Sequence, residues 1–361
     1  MEINAPLSNY ELNDKEKTSA VYKEISETSK SIREKYPFLK HQNAIGFSIF
    51  ALCVSMILWS VYGYLTAQWN TWFVVFWIAF WTSILHELEH DLIHRLYFKD
   101  NPVMHNLMMF GVWLFRPLTL NPWFRRQLHL HHHKYSGTAT DMEERGVNNG
   151  QPWGFLRLIM TPDLIFAGIL RSKKMRAEVR QLYYEGKFTK DDIDNLRKTS
   201  LYGFWPFGIP LHLMWYSFVM YYAVFAVMSV VAPLAEMPAW VQAYIGFISP
   251  VVILFVVPNL IRQFCLHFIT SNMHYYGDVE RGNIMQQTQV LNVWWLFPFQ
   301  LFCFNFGSTH TIHHFMVQET FYIRQLTAPA AHRVLQKYGV RFNDLGTFFR
   351  ANRFNKEEAA S

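Results

Sequence analysis

The sequence is short of charge. Asp, Glu, Lys and Arg make up 17% of its 361 residues, against about 25% in a typical soluble domain. Lys and Arg vanish between Lys40 and Arg95, and again between Lys198 and Arg262. Cysteine is scarce too. Cys53, Cys265 and Cys303 form no CxxC pair and lie in apolar stretches. That excludes a disulfide framework and predicts reduced, packed thiols. No GxGxxG follows a strand pattern and no CxxCH occurs, so no bound haem, flavin or nicotinamide is expected. The stretch from Met1 to Lys17 lacks a basic segment followed by an apolar one, so no cleaved secretory signal is expected.

What fills the gaps is apolar. Half of the chain (51%) is hydrophobic, with 32 Phe, 18 Tyr and 13 Trp, a composition suited to partial solvation by lipid. A membrane-spanning helix needs about 20 apolar residues. The first gap holds two such runs, Ile45 to about Ala67 and Trp72 towards Leu85, separated by Gln68-Trp69-Asn70-Thr71. The second holds Leu211 to Val231 and Trp240 to about Leu260, with a break at Ala232–Pro238. The expected fold is an all-α integral membrane protein: about four transmembrane helices in two hairpins, plus interfacial helices and a helical cap. Val103–Phe115 and Val293–Phe306 are too short for spans and read as re-entrant or interfacial helices, or a third hairpin leg. Val21, Ile25 and Ile32 suggest a weakly amphipathic helix lying on the membrane surface. Residues 171–200 read as two helices with a turn near Gly186.

The net charge is +6. The hairpin tips carry no Lys or Arg, whereas the N-terminal segment, the 95–200 region and the C-terminal part from Arg262 onward carry all of them. The positive-inside rule then places both termini and the central region in the cytoplasm. It also accounts for the basic charge without nucleic acid.

The 16 histidines are clustered. One cluster is His86, His90 and His94. The second is His129, His132 and His133, with His131 inside it. The third is His310, His313 and His314. His267 and His274 stand alone past the fourth span. Residues four apart on a helix share a face, so HxxxH and HxxHH each aim two or three imidazoles in one direction. Neutral imidazole binds Fe, Zn and Cu. Eight or nine nitrogens are too many for one tetrahedral zinc and suit two metals of higher coordination number. His41, His105, His212 and His332 read as ordinary packed or surface residues.

These boxes resemble those of the membrane fatty acid desaturase/hydroxylase superfamily: HxxxH, then HxxHH some 35 residues on, then a distant HxxHH. The resemblance spans about residues 45–325. Ser271-Asn272-Met273-His274-Tyr275-Tyr276-Gly277 is similar to a stretch of related hydroxylases that supplies one more histidine. The resemblance therefore implies His274 as a ligand and Asn272 as its polar neighbour. In the first box, His86-Glu-x-x-His90 matches one form of the pattern and His90-Asp-x-x-His94 another, so all three stay candidates. HELEHDLIH and HHKYSGTATDMEERG also resemble bacterial desaturase-like proteins, some of which decarboxylate fatty acids to terminal alkenes.

The resemblance implies two non-haem irons, dioxygen as co-substrate, and oxidation of a fatty acid or acyl chain, with desaturation ahead of decarboxylation and hydroxylation. It implies a cytoplasmic N-terminal segment (1–44), a catalytic domain (45–325, its cap around 95–200 and 265–325) and a cytoplasmic tail (326–361), in a bacterial inner membrane. Electrons are expected from a separate ferredoxin, rubredoxin or cytochrome, with Lys173, Lys174, Arg176 and Arg180 as a candidate dock. Glu87, Glu89, Asp91 and Asp141 are candidates to accept the outer N–H of ligand imidazoles. Arg116, Arg125 and Arg126 are candidates to meet a substrate head group. Two other functions compete. His86-Glu87-x-x-His90 is a literal HExxH zinc-protease motif, but one zinc would leave the other two boxes without a task. A metal carrier usually places its ligands near the bilayer midplane, not at the ends of spans.

Overall fold

The computed structural model describes residues 12–231 and 236–355. Part of the expected break at Ala232–Pro238, residues 232–235, lies outside them, as do both ends of the chain. Among the described residues the secondary structure is helical, with two isolated bridges and no strand.

Four helices are long and apolar enough to span a bilayer. These are α2 (Gln42–Leu65), α3 (Thr71–Ile93), α10 (Gly208–Val231) and α11 (Ala239–Met273), preceded in the chain by α1 (Asp14–Lys35). The connection from α2 to α3 is short, and Asn70 caps α3 by accepting from Trp72 N at 2.9 Å. α2 and α3 therefore run antiparallel. α3 packs between α2 and α11 and is buried on all sides from Thr82 to Ile93. Its apolar residues join Cys53 and Ile57 of α2 and Leu254 of α11 in one core. α10 by contrast turns most of its side chains outward. Between spans, lipid is as apolar as leucine, so close packing rather than the hydrophobic effect holds these helices together.

The fourth span differs from expectation. The first charge after Trp240, Arg262, marked its apparent end, yet α11 continues to Met273. At 35 residues it is about 52 Å long, well over the ~30 Å hydrocarbon thickness. Its last turns therefore belong to the cap, and Arg262 is buried in protein rather than in lipid. A π turn at Val252–Val256 precedes Pro258, whose missing N–H breaks the regular ladder.

The cap is built from α4 (Pro102–Phe115), α5 (Pro122–Tyr135), α6 (Met142–Gly146), α7 (Phe155–Met160), α8 (Leu164–Tyr184), α9 (Lys190–Tyr202), α12 (Phe306–Phe315) and α13 (Phe321–Lys337). At 14 residues, α4 is ~21 Å long and too short to span. Trp294–Leu301 forms only a 3-10 turn and one short helical turn. Gly186, at φ 69°, makes the turn between α8 and α9.

α1 does not offer its apolar face to lipid. Val21 and Ile25 are fully buried against Ala328, Ala331 and Leu335 of α13, each contributing about 1.5–3 kcal/mol outside the membrane. A capping box between Asn13 and Glu16 starts the helix, and Arg33 pairs with Glu319. The expected surface helix is a packed one, because α13 supplies a complementary apolar stripe that the α1 sequence alone does not reveal. All three cysteines are free and buried.

Candidate metal centre

α3, α5 and α12 end or begin at the same side of the bundle, and α11 delivers His274 there as its C-cap. Nine histidines fall into two groups. His90, His94, His129, His133 and His313 form one; His132, His274, His310 and His314 form the other. Within each group the potential ligand atoms all lie within 4.8 Å of one another. The two groups adjoin: the His133 and His314 rings are 5.1 Å apart.

Helix geometry decides who joins which group. Each residue advances about 100°, so i and i+4 nearly share a direction while i+3 points about 100° away from i+4. His129 and His133 stay together, and so do His310 and His314. The middle histidine of each box, His132 or His313, turns to the other group. Each HxxHH box thereby stitches both groups.

The spacing of the nitrogens fits metal. Nε2 of His94 and His129 are 3.0 Å apart, His129 and His133 3.1 Å, and His133 and His313 3.0 Å. In the second group His310 and His314 are 3.2 Å apart. Bonds of ~2.1 Å at a right angle put donors ~3.0 Å apart, whereas a tetrahedral angle gives ~3.4 Å. The five-histidine group thus suits a five- or six-coordinate ion better than tetrahedral zinc. Both ring nitrogens of His90 and Nε2 of His274 are buried with no hydrogen-bond partner among the described residues, so each of these rings has a nitrogen free to face a metal.

Electrostatics keep most of these rings neutral, the ligand form. Burial, then the neighbouring His129, lowers His94 to about 2. Burial, then His132, lowers His274 to about 3. Burial and neighbouring imidazoles hold His129, His133, His310, His313 and His314 well below the ordinary value. His132 differs: burial opposes its charge, but Asp141 overrides this and raises it to about 10.

The outer nitrogens are held by specific partners. Nδ1 of His132 donates to Asp141 at 2.8 Å, Nδ1 of His129 to Glu143 at 2.8 Å, and Nδ1 of His314 to Gln287 Oε1 at 3.0 Å. Nδ1 of His274 donates to the Thr270 carbonyl at 2.9 Å, and Arg324 stands 2.9 Å from Nδ1 of His313. Gly137, at φ 75°, turns the chain so that Asp141 returns to α5; a Cβ there would meet the Tyr275 carbonyl at 2.6 Å.

Of the acidic residues singled out in the sequence, Asp141 touches a ring of the two groups directly, that of His132. Glu87 and Asp91 reach His313 only through Arg324, which lies 3.3 Å from each. Glu89 takes Arg116 at 2.5 Å and Arg125 at 2.7 Å. Asn272 accepts from Trp153 at 2.9 Å and does not touch His274. Sequence reasoning missed Glu143, Thr270, Gln287 and Arg324. Glu143 had a signal, sitting in the acidic DMEE stretch after the second box. Gln287 and Arg324 had none, being brought in by distant chain.

His86 stands outside both groups. Arg116 donates to its Nδ1 at 3.0 Å. With His86 in neither group and Glu87 paired with Arg324, the HExxH pattern forms no zinc-protease site among the described residues. His267 binds the Thr161 carbonyl at 2.9 Å, and His131 stacks on Tyr135. His105, His212 and His332 bond backbone carbonyls.

A cavity of about 270 Å³ opens onto both groups through His90, His129, His132, His274 and His310. Leu120, Leu128, Val147, Leu164 and Phe204 give it apolar walls, and His86, Arg116, Arg125 and Arg262 form a polar side. Arg126 is not part of it.

A search of curated proteins finds no match to this chain. The family model for fatty acid desaturases matches residues 67–346, a range that contains α3, α5 and α12 and every histidine of the two groups. With the match covering most of the chain and the four membrane helices in place, the chain belongs to the fatty acid desaturase family of membrane oxidoreductases.

Proposed function

We propose that the protein is an O2-dependent, non-haem di-iron oxidase of fatty acyl chains, and that its reaction is desaturation. The observation that carries this is the pair of adjoining histidine groups, with Nε2 spacings near 3 Å, facing an apolar-walled cavity. His90, His94, His129, His133 and His313 would hold one iron, and His132, His274, His310 and His314 the other. When bound, the irons would supply the activation of dioxygen needed to remove hydrogen from an unactivated methylene.

The chain's own part is positional. Asp141, Glu143, Thr270 and Gln287 keep the proton of four ligand rings on Nδ1 and turn Nε2 inward. Such partners commonly set ligand orientation and basicity. The apolar walls exclude water and align a chain that approaches from the bilayer. The charge asymmetry of the loops supports a metal centre on the cytoplasmic side. Electrons would then come from a separate cytoplasmic ferredoxin, rubredoxin or cytochrome.

Two measurements test this. Metal analysis of the purified protein should find close to two irons per chain; one zinc and no iron would overturn it. Mass spectrometry of membranes fed labelled fatty acids should find an internal double bond. A terminal alkene with carbon dioxide, or an alcohol, would replace desaturation by decarboxylation or hydroxylation.

A further inference from the structure

Arg262 is 1% exposed, and none of its three guanidinium nitrogens has a hydrogen-bond partner among the described residues. It lines the cavity that opens onto the histidines. Its neighbours give it no relief. Of the buried carboxylates, Glu144 accepts from Asn149 and lies 3.5 Å from Nδ1 of His274, and both oxygens of Glu89 are taken, one by Arg116 and one by Arg125. Glu143 is shared between Arg125 at 3.6 Å and His129 at 2.8 Å. Arg116, Arg125 and Arg262 thus line one cavity, and of the two that are fully buried, Arg116 is held by Glu89 while Arg262 has nothing to hold.

An unpaired buried cation is strongly disfavoured, and arginine does not relieve that by losing its proton. The missing partner must bring a full negative charge and accept from a planar fork. A carboxylate does both. The carbonyl of an ester or thioester is neutral and does neither as well. A phosphate has the charge, but a phospholipid would have to carry its glycerol and a second chain to a depth where Arg262 is sealed from solvent. One acyl chain ending in a carboxylate fits a cavity with a cationic side and apolar walls.

We propose that Arg262 is the receptor for the carboxylate of a free, unesterified fatty acid. This rests on the fatty acyl reading of the cavity and goes beyond it in naming the form of the substrate. Arg116 and Arg125, held by Glu89, add positive potential around the same wall. Arg262 is a binding and positioning residue.

The test is binding to the iron-loaded protein in detergent, without reductant so that nothing turns over. The probe is radiolabelled laurate, competed by unlabelled laurate, methyl laurate or a lysophosphatidic acid. Laurate should bind at least tenfold more tightly than its methyl ester. Arg262→Gln should weaken laurate ~10–100-fold, the scale of a lost charge-assisted pair, while methyl laurate changes little. Arg262→Lys, which restores charge without the fork, should recover part of the loss. Iron content and melting temperature show whether each variant is folded. Should Arg262→Gln not fold, the acid-to-ester ratio of the wild type still decides. Equal binding of acid and ester, or a preference that survives Arg262→Gln, overturns the proposal and leaves the acyl reading standing. A lysophosphatidic acid that displaces laurate at lower concentration, in an Arg262-dependent way, also overturns it in favour of a phosphate. If no acyl ligand binds at all, the acyl reading falls and this proposal with it.

Discussion

Replacing Asp141 by asparagine isolates one metal group. Asp141 is fully buried. Its Oδ2 accepts from Nδ1 of His132 at 2.8 Å and from the Gly137 amide at 3.0 Å, and its Oδ1 from the Glu144 amide at 3.3 Å. A carboxylate in this state only accepts, so it fixes the His132 proton on Nδ1 and leaves Nε2 for a metal. Loss of such a partner weakens metal binding ~10–100-fold, or about 1.4–2.7 kcal/mol. A second effect depends on pH. In the metal-free protein His132 is raised to about 10, above the ordinary histidine value. That contribution to stability is complete below the unfolded pKa of ~6.5 and is lost as pH rises through the folded value. At neutral pH this puts a second proton on Nε2, and a metal there must displace it. Wild-type affinity at this group should therefore rise about tenfold per unit between pH ~7 and ~9, and Asp141→Asn should be flat there. Dialysis against graded chelator, with iron counted by plasma mass spectrometry, measures both effects. At a chelator concentration where the wild type keeps two irons, the variant should keep one. A variant with the wild-type midpoint and the wild-type pH slope would refute the claim that Asp141 orients His132.

Four further outcomes follow from named contacts. His313→Ala removes the third box's contribution to the five-histidine group and His314→Ala its contribution to the other, so each should lose iron and oxygen-consuming activity together. His212→Ala removes a bond to the Gly208 carbonyl at 2.7 Å and should cost about 1–3 kcal/mol of stability, read as a lower melting temperature with iron content unchanged. Arg324→Met leaves Glu87 and Asp91 buried without their cation; it should destabilise by about 3–5 kcal/mol and disturb His313, visible as lowered iron content in whatever protein folds. Gly307→Ala would set a Cβ 2.9 Å from the Leu291 carbonyl, and overpacking of that kind costs about 1–3 kcal/mol, measurable by thermal unfolding.

The stretches free of Lys and Arg marked the membrane helices, because charge in hydrocarbon is costly and its absence over some 20 residues is informative. The same logic ended the fourth helix too early: a charge bars a residue from lipid, not from a protein interior, and Arg262 lies in the latter. Histidine spacing was equally local. The periodicity of a helix is a property of the chain itself, so that three boxes each present a histidine face was legible before any fold. Which face meets which was not. The 5-and-4 division, the exclusion of His86 and the hold of Gln287 on His314 depend on residues far apart in sequence. So does the solitary guanidinium of Arg262, whose lack of a partner exists only once Glu89 has been claimed by Arg116 and Arg125. Sequence by itself determined the membrane helices and the supply of imidazoles, because hydropathy and helical pitch act over a few turns. Tertiary structure alone decided the grouping of the imidazoles, their outer contacts and the cationic wall, because hydrogen bonds and charges are allotted between chain segments that meet only on folding.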